Sequence, residues 1–331
     1  MASPPAWLRG GLLAVVSLCL AVLLCEAGAR LLGLTPNAYA PNRWLKTPWA
    51  DFDAELGWRN RGGECESIEH GHALMHFTEA GERVSWPTKK NAPLRGLTIG
   101  CSWTQGYGIG DRETLAWRLN DIFPGMRFEN FGTGGYGTYQ SLLRLKRVLA
   151  ESPPDLVIYG FIPSHELRNV ATYRWVNAMT DFRGNKAVPP HVLPRGNGLE
   201  HHDYRSIGPW PLERHSVLVS KLHDAVLKLE YGPRASQARE VTLKLLGEMH
   251  AAATQRGSAF LVLFYDPHTP EAYTDYCEAQ GIDYLACGHP EFDTNPALFT
   301  EPKGHPSGQM TAAWAECLRP WIAARFPAAT R

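Results

Sequence analysis

A serine stands where a strand should end in a tight turn. Leu97, Thr98 and Ile99 read as a buried strand that breaks at Gly100, and Cys101 and Ser102 follow. A hydroxyl just past a strand end can project out of a sheet, which is where an acyl-transfer nucleophile has to be. Gly106, Gly108 and Gly110 make the next segment a loop. Asp111 and Glu113 give an acidic helix start, and Leu115 and Leu119 the apolar face of that helix. By itself the stretch reads equally well as an ordinary strand, loop and helix with an incidental serine. A nucleophile also needs a base. The candidate is His305 in Gly304-His305-Pro306-Ser307-Gly308, just ahead of the expected last helix.

With Trp103-Thr104-Xaa-Gly106, the turn resembles the first motif block of the SGNH (GDSL-type) hydrolase superfamily, in a membrane-anchored bacterial branch with Gly100-Cys101-Ser102 in place of Gly-Asp-Ser. The resemblance runs from about Asp53 to the end of the last helix. It implies a serine esterase or acyltransferase that needs no cofactor. Ser102 would be the nucleophile, and His305 would face it across the top of the sheet. An acid is implied three residues before the histidine, but Pro302 stands there. Glu301 and Asp293 remain as carboxylates to orient the imidazole, with Glu301 preferred for its proximity. A backbone carbonyl in that role would leave a Ser-His dyad.

The resemblance also implies an oxyanion hole that begins with the backbone N–H of Ser102. Its second block matches Asn130-Phe131-Gly132-Thr133-Gly134-Gly135-Tyr136-Gly137-Thr138-Tyr139-Gln140, with Gly135 as the second donor. Where the third block should read Asn-Asp, this chain has Ser164-His165. His165 and Asn169, four apart and so on one helix face, are the candidates for a third donor.

These residues need a scaffold, and the pattern supplies one. Strand-like runs at Leu97–Ile99, Arg127–Phe131, Leu156–Phe161, Ala259–Phe264 and Ile282–Leu285 alternate with helical patterns. Those helices are expected over Thr114–Ile122, Tyr139–Leu149, Val217–Leu229, Gln237–Gln255 and Ser307–Ala324. The continuous apolar strands suit a parallel sheet covered on both faces. The fold expected is α/β, a three-layer α/β/α arrangement on a five-stranded parallel sheet, flavodoxin-like, with ligands beyond the carboxyl ends of the strands. The segment of about 169–215, rich in Pro, Gly, His and aromatics, shows no periodicity and reads as a cap over the site. Residues 1–34 read as a signal anchor or signal peptide, 35–93 as an extended lead-in with a purely structural role, and 94–331 as the hydrolase-like domain.

Gly11–Cys25 carries no charge and follows Arg9, so the reading is an uncleaved anchor with its N-terminus in the cytoplasm and the catalytic domain periplasmic or extracytoplasmic. A small-residue cleavage site at Ala27-Gly28-Ala29 is the alternative. The 331 residues hold 44% hydrophobic side chains and have zero formal net charge, which argues for a globular protein and against nucleic acid as a partner. No Cys-His grouping has metal spacing, so no metal is expected. Of the seven cysteines, Cys277 and Cys287 either pair or stay as buried thiols. The functional reading is an envelope esterase acting on acylated glycans or lipids. The rivals are an exopolysaccharide O-acetyltransferase and a non-catalytic glycan-binding pseudoenzyme. The sequence leaves the oligomeric state open.

Overall fold

Strands that are apolar at every position must be covered from both sides. Leu156–Phe161 is buried along its whole length. In the computed structural model, which describes residues 6–37, 50–67, 73–86, 91–181, 183–300 and 304–331, it is the central strand of a five-stranded sheet. Along the chain, β1 (Ala50–Asp53), β2 (Gly57–Asn60), β3 (Gly63–Glu66) and β4 (Leu74–Phe77) form two antiparallel pairs in the lead-in. The central sheet is built of β5 (Leu94–Gly100), β6 (Met126–Asn130), β7 (Leu156–Phe161), β12 (Ala259–Phe264) and β13 (Asp283–Ala286). Its order is β6-β5-β7-β12-β13, and every pairing is parallel. The three-layer flavodoxin-like expectation is met. The order reverses between β5 and β7, and their carboxyl ends therefore flank the crevice where such sheets bind ligands.

Helices Thr138–Glu151, Ala238–Thr254 and Ala272–Gln280 bury their apolar faces on one side of the sheet. Leu115–Ile122 and Gly308–Arg325 cover the other. The helix Ala272–Gln280 was not legible in advance. Only Tyr273 and Cys277 of its residues are buried, too few for a visible stripe, and Gly281 ends it in a left-handed conformation at φ 62°. Cys277 stays a buried thiol, and the disulfide joins Cys287 to Cys317. Neither alternative holds for both residues: a Cys277–Cys287 pair fails because the two pack in cores on opposite faces of the sheet, and Cys287 is not a free thiol.

The 169–215 insertion has regular structure after all: a helix at Tyr173–Ala178 and the strands β8 (Lys186–Val188), β9 (His191–Arg195), β10 (Gly198–His202) and β11 (Arg205–Ile207), paired β9–β10 and β8–β11. Strands of three to five residues are too short to show a period. Val192 packs into the core beneath the 138–151 and 238–254 helices. At the other end of the chain, Ala6–Leu31 is one helix. Its 22-residue apolar stretch Gly10–Leu31 is long enough to cross a bilayer, and its leucines and valines are exposed.

Candidate active site

The turn Gly100-Cys101-Ser102 is fixed by contacts that only glycine allows. A Cβ on Gly100 would lie 2.3 Å from Thr104 Oγ1 and 2.8 Å from the Gly160 carbonyl oxygen on the neighbouring strand. β5 therefore runs flush against β7 until the chain breaks away. Cys101 then tucks wholly into the core, and Ser102 opens a four-residue helical turn, Ser102–Gln105. A residue at the first position of a helix has an N–H with no intrahelical acceptor. The Ser102 N–H is such a donor, at the switch point of the sheet.

Ser102 Oγ lies 2.8 Å from His305 Nε2. The histidine reaches it from a tightly stitched segment. Its carbonyl accepts from Thr300 N at 2.8 Å, and Ser307 N donates to Leu298 O at 2.8 Å. Ser307 then caps the last helix through its side chain, which accepts from Gln309 N. Arg118 donates to Gly308 O at 2.8 Å, tying that helix start to the 115–122 helix. The ring of Tyr107 meets the imidazole edge to face at 5.0 Å, and the Nδ1 atom of His305 is buried. Beneath the site, Trp103 stacks on Trp314 at 6.0 Å.

Glu301, the preferred acid, lies outside the described residues. Asp293 does not serve His305: its carboxylate is exposed and sits 2.9 Å from His268 Nε2, an expectation corrected by that pairing. The pair raises the His268 pKa, chiefly through its hydrogen bond to Asp293.

The Gly-rich loop is drawn alongside Ser102 by the sheet. Phe131 N donates to Thr98 O and Thr133 N to Gly100 O, at 2.8 and 3.0 Å. Gly135 has φ 81°, and a Cβ there would meet the Trp58 ring at 3.0 Å, so the position is closed to other residues. Neither expected third donor is available. Asn169 gives its Nδ2 hydrogens to Thr138 Oγ1 and Thr242 Oγ1, and its Oδ1 accepts from Tyr139 N. It holds two helices together instead. His165 is buried, and burial with Arg168 nearby keeps its pKa well below the usual histidine range. Its Nδ1 lies 2.7 Å from the Tyr159 hydroxyl, which donates to Thr138. Nδ1 is then the protonated nitrogen, and Nε2 is an acceptor that cannot donate to an oxyanion.

The lead-in does more than trim the domain, and its site residues were missed. Asn60 Nδ2 donates to Gly132 O, while its Oδ1 accepts from Gln105 Nε2, so one side chain bridges the two site loops. Trp58 Nε1 donates to Gly134 O at 2.8 Å, and the Tyr136 hydroxyl donates to Trp58 O. Arg83 is fully buried. Its Nε donates to Asp111 Oδ1 at 2.7 Å, and its guanidinium also donates to Gly106 O and Ile109 O at 3.0 and 2.8 Å. Arg83 N further donates to Asn130 O, which joins the lead-in to the edge of the central sheet. The Gly57-Trp58 and Gly81-Xaa-Arg83 spacings were visible; nothing in them tells a clamp from a cover.

No family model matches the chain, and no curated protein matches it. Solved structures similar in fold include that of TesA, at 15% identity and TM-score 0.38, covering 71% of this chain and 99% of that one. A member of the lipolytic protein G-D-S-L family from Veillonella parvula matches at 9% identity and TM-score 0.41, covering 68% and 96%. Axe2, an acetylxylan esterase from Geobacillus stearothermophilus, matches at 12% identity and TM-score 0.41, covering 70% and 95%. Likenesses this distant concern the fold and assign no chemistry to this chain.

Proposed function

We propose that this chain is a membrane-anchored serine hydrolase of the SGNH type, acting on acyl esters of envelope glycans or lipids. The observation that carries the reading is the 2.8 Å contact between Ser102 Oγ and His305 Nε2, two residues far apart in sequence that meet at the carboxyl end of β5. That is hydrogen-bond reach for a base and its nucleophile. His305 Nε2 takes the hydroxyl proton as Oγ attacks the ester carbonyl. The N–H groups of Ser102 and Gly135 receive the developing oxyanion. Glu301 orients the imidazole through Nδ1 and stabilises its charged form. The tetrahedral intermediate expels the alcohol, which takes the proton from His305 and leaves an acyl-Ser102 ester. Water, activated by the same histidine, releases the acid. Passing the acyl group to a sugar hydroxyl would use the same residues.

The test is labelling of the full chain in detergent with a fluorophosphonate probe, followed by mass spectrometry. The adduct should sit on Ser102 and vanish in Ser102→Ala and His305→Ala. An adduct elsewhere, or labelling that survives in Ser102→Ala, overturns the reading.

A further inference from the structure

The N-terminal helix does not merely precede the domain; it is bolted to it. Glu26 is the only acidic residue of Ala6–Leu31. Its carboxylate accepts from Val217 N at 2.9 Å, Leu218 N at 3.0 Å and Ser216 Oγ at 2.9 Å, and so caps the helix Val217–Tyr231. Arg30, one turn on, donates to Glu26 and to the His215 carbonyl. Asn37 N adds a bond to Ser220 Oγ at 2.8 Å. The end of the apolar helix thus fixes the turn 210–216 and the helix that follows it.

What this junction exposes is apolar. Leu212 is 69% exposed and holds a left-handed backbone, φ 65°, that side-chain-bearing residues rarely adopt. Trp210 is partly exposed beside it, its ring stacked on His223 at 4.7 Å. The helix Val217–Tyr231 buries Val217, Ser220, His223, Leu227 and Tyr231 against the domain. Its opposite face carries Leu222, Val226 and Leu229, spaced i, i+4, i+7, with Leu222 and Leu229 58% and 78% exposed. Lys221 and Lys228 are exposed on the same helix. An amphipathic helix with leucines on one face, exposed lysines flanking that face and a tryptophan in the turn before it has the composition of an element lying in a lipid interface.

We propose that the turn 210–216 and the outer face of Val217–Tyr231 rest on the bilayer surface next to the anchor, so that the domain is held against the membrane in one orientation. The inference rests on the reading of Gly10–Leu31 as a membrane span. Continuity argues for lipid as the occupant: the stripe begins at the residues hydrogen-bonded to the last turns of that span. The two lysines would meet anionic headgroups.

The test uses the full chain with Cys19→Ser and Cys25→Ser, reconstituted in vesicles of phosphatidylethanolamine and phosphatidylglycerol containing nitroxide-labelled lipid. Single cysteines at Leu18, Leu212, Leu222, Leu229 and, as a distant control, Lys146 carry an environment-sensitive fluorophore. Expected are blue-shifted emission and quenching by the nitroxide lipid at 18, 212, 222 and 229, and water-like emission at 146. In a Leu222→Asp, Leu229→Asp background, the probe at 212 should lose its quenching while the probe at 18 keeps it. Water-like emission at 212, 222 and 229 with a quenched probe at 18 overturns the proposal and leaves the anchor standing. A water-like probe at 18 overturns both. Blue-shifted but unquenched probes on the stripe would mean that a second copy covers it, which also overturns the proposal.

Discussion

Replacing Arg83 with methionine isolates the clamp beneath the nucleophile loop. Methionine keeps most of the stem's length and removes the guanidinium. Asp111 loses its 2.7 Å partner, and the carbonyls of Gly106 and Ile109 lose theirs. Breaking a buried ion pair from one side costs about 3–5 kcal/mol, and a buried acceptor left unpaired about 1–3 kcal/mol. Asp111 keeps a second partner, His76 Nδ1 at 2.5 Å, and is not fully sealed, so the lower end applies to the pair. The Gly106 carbonyl still accepts from Ile109 N, so about 3 kcal/mol for the pair and about 1 kcal/mol for the Ile109 carbonyl give a total near 4 kcal/mol. That is roughly a quarter to four-fifths of a typical domain stability of about 5–15 kcal/mol, and in the upper part of that range the fold survives while the 105–110 loop loosens. For a domain of this size that corresponds to a Tm lower by roughly 8–16 °C. Tyr107 rides on this loop against His305, and misplacing a catalytic group by about 1 Å can cost ~100-fold in kcat/KM. Calorimetry and short-chain ester kinetics read the two effects. Asp111→Asn added to Arg83→Met should recover part of the Tm by removing the abandoned charge. A variant Arg83→Met that keeps both Tm and kcat/KM would refute the clamp.

Further outcomes follow from the same contacts. Glu301→Gln should lower kcat by up to ~10⁴-fold with KM little changed, because an acid behind the base acts on the imidazolium of the transition state. Asp293→Asn, which touches only the exposed His268, should leave kcat intact and stability within about 0.5 kcal/mol, and the reverse ranking would sink the assignment. Cys101→Ala should retain most activity, since the thiol is sealed in the core; thiol-directed labelling at Cys101 with loss of turnover would refute this. His191 has its pKa lowered to about 4, first by burial and then by Arg234 and His202, against the hydrogen bond to Pro189 that raises it; burial also holds His165 well below the usual histidine range. Both stay neutral when folded but take up protons when unfolded, so stability is full above pH ~6.5 and falls as pH drops toward the folded values. Between pH 7 and 5 that is a loss of roughly 2 kcal/mol for His191, and urea unfolding of His191→Gln should show a shallower decline. A reporter fused after Arg331 should be active only outside the cytoplasm, and activity inside would refute export.

The sheet was legible because its central strands β7 and β12 are apolar along their length, and both have the bounds read from sequence. That Ser102 and His305 could meet was legible because each sits at an element boundary marked by Gly or Pro, and the structure brings them within 2.8 Å. What escaped is what depends on packing between distant segments. Arg83 reads as a surface charge until the fold surrounds it with the carbonyls of the 105–109 loop and the Asp111 carboxylate. His165 and Asn169 share a helix face as expected, yet that face points into a buried polar network around Thr138. The 169–215 insertion hid its strands because short hairpins carry no period, and Cys277 and Cys287 looked equivalent until the sheet separated them.

The disulfide between Cys287 and Cys317 encloses the whole segment that carries His305. Residues 290, 291, 293 and 294 within it are exposed, which is the kind of place a protease cuts. A chain nicked there is still one covalent molecule: the piece bearing Ser102 and the piece bearing His305 stay joined through sulfur. Such a nick would be invisible on a non-reducing gel and would leave Ser102 and His305 in register. The enzyme would then tolerate a severed backbone at the rim of its own site until a reductant parts the halves.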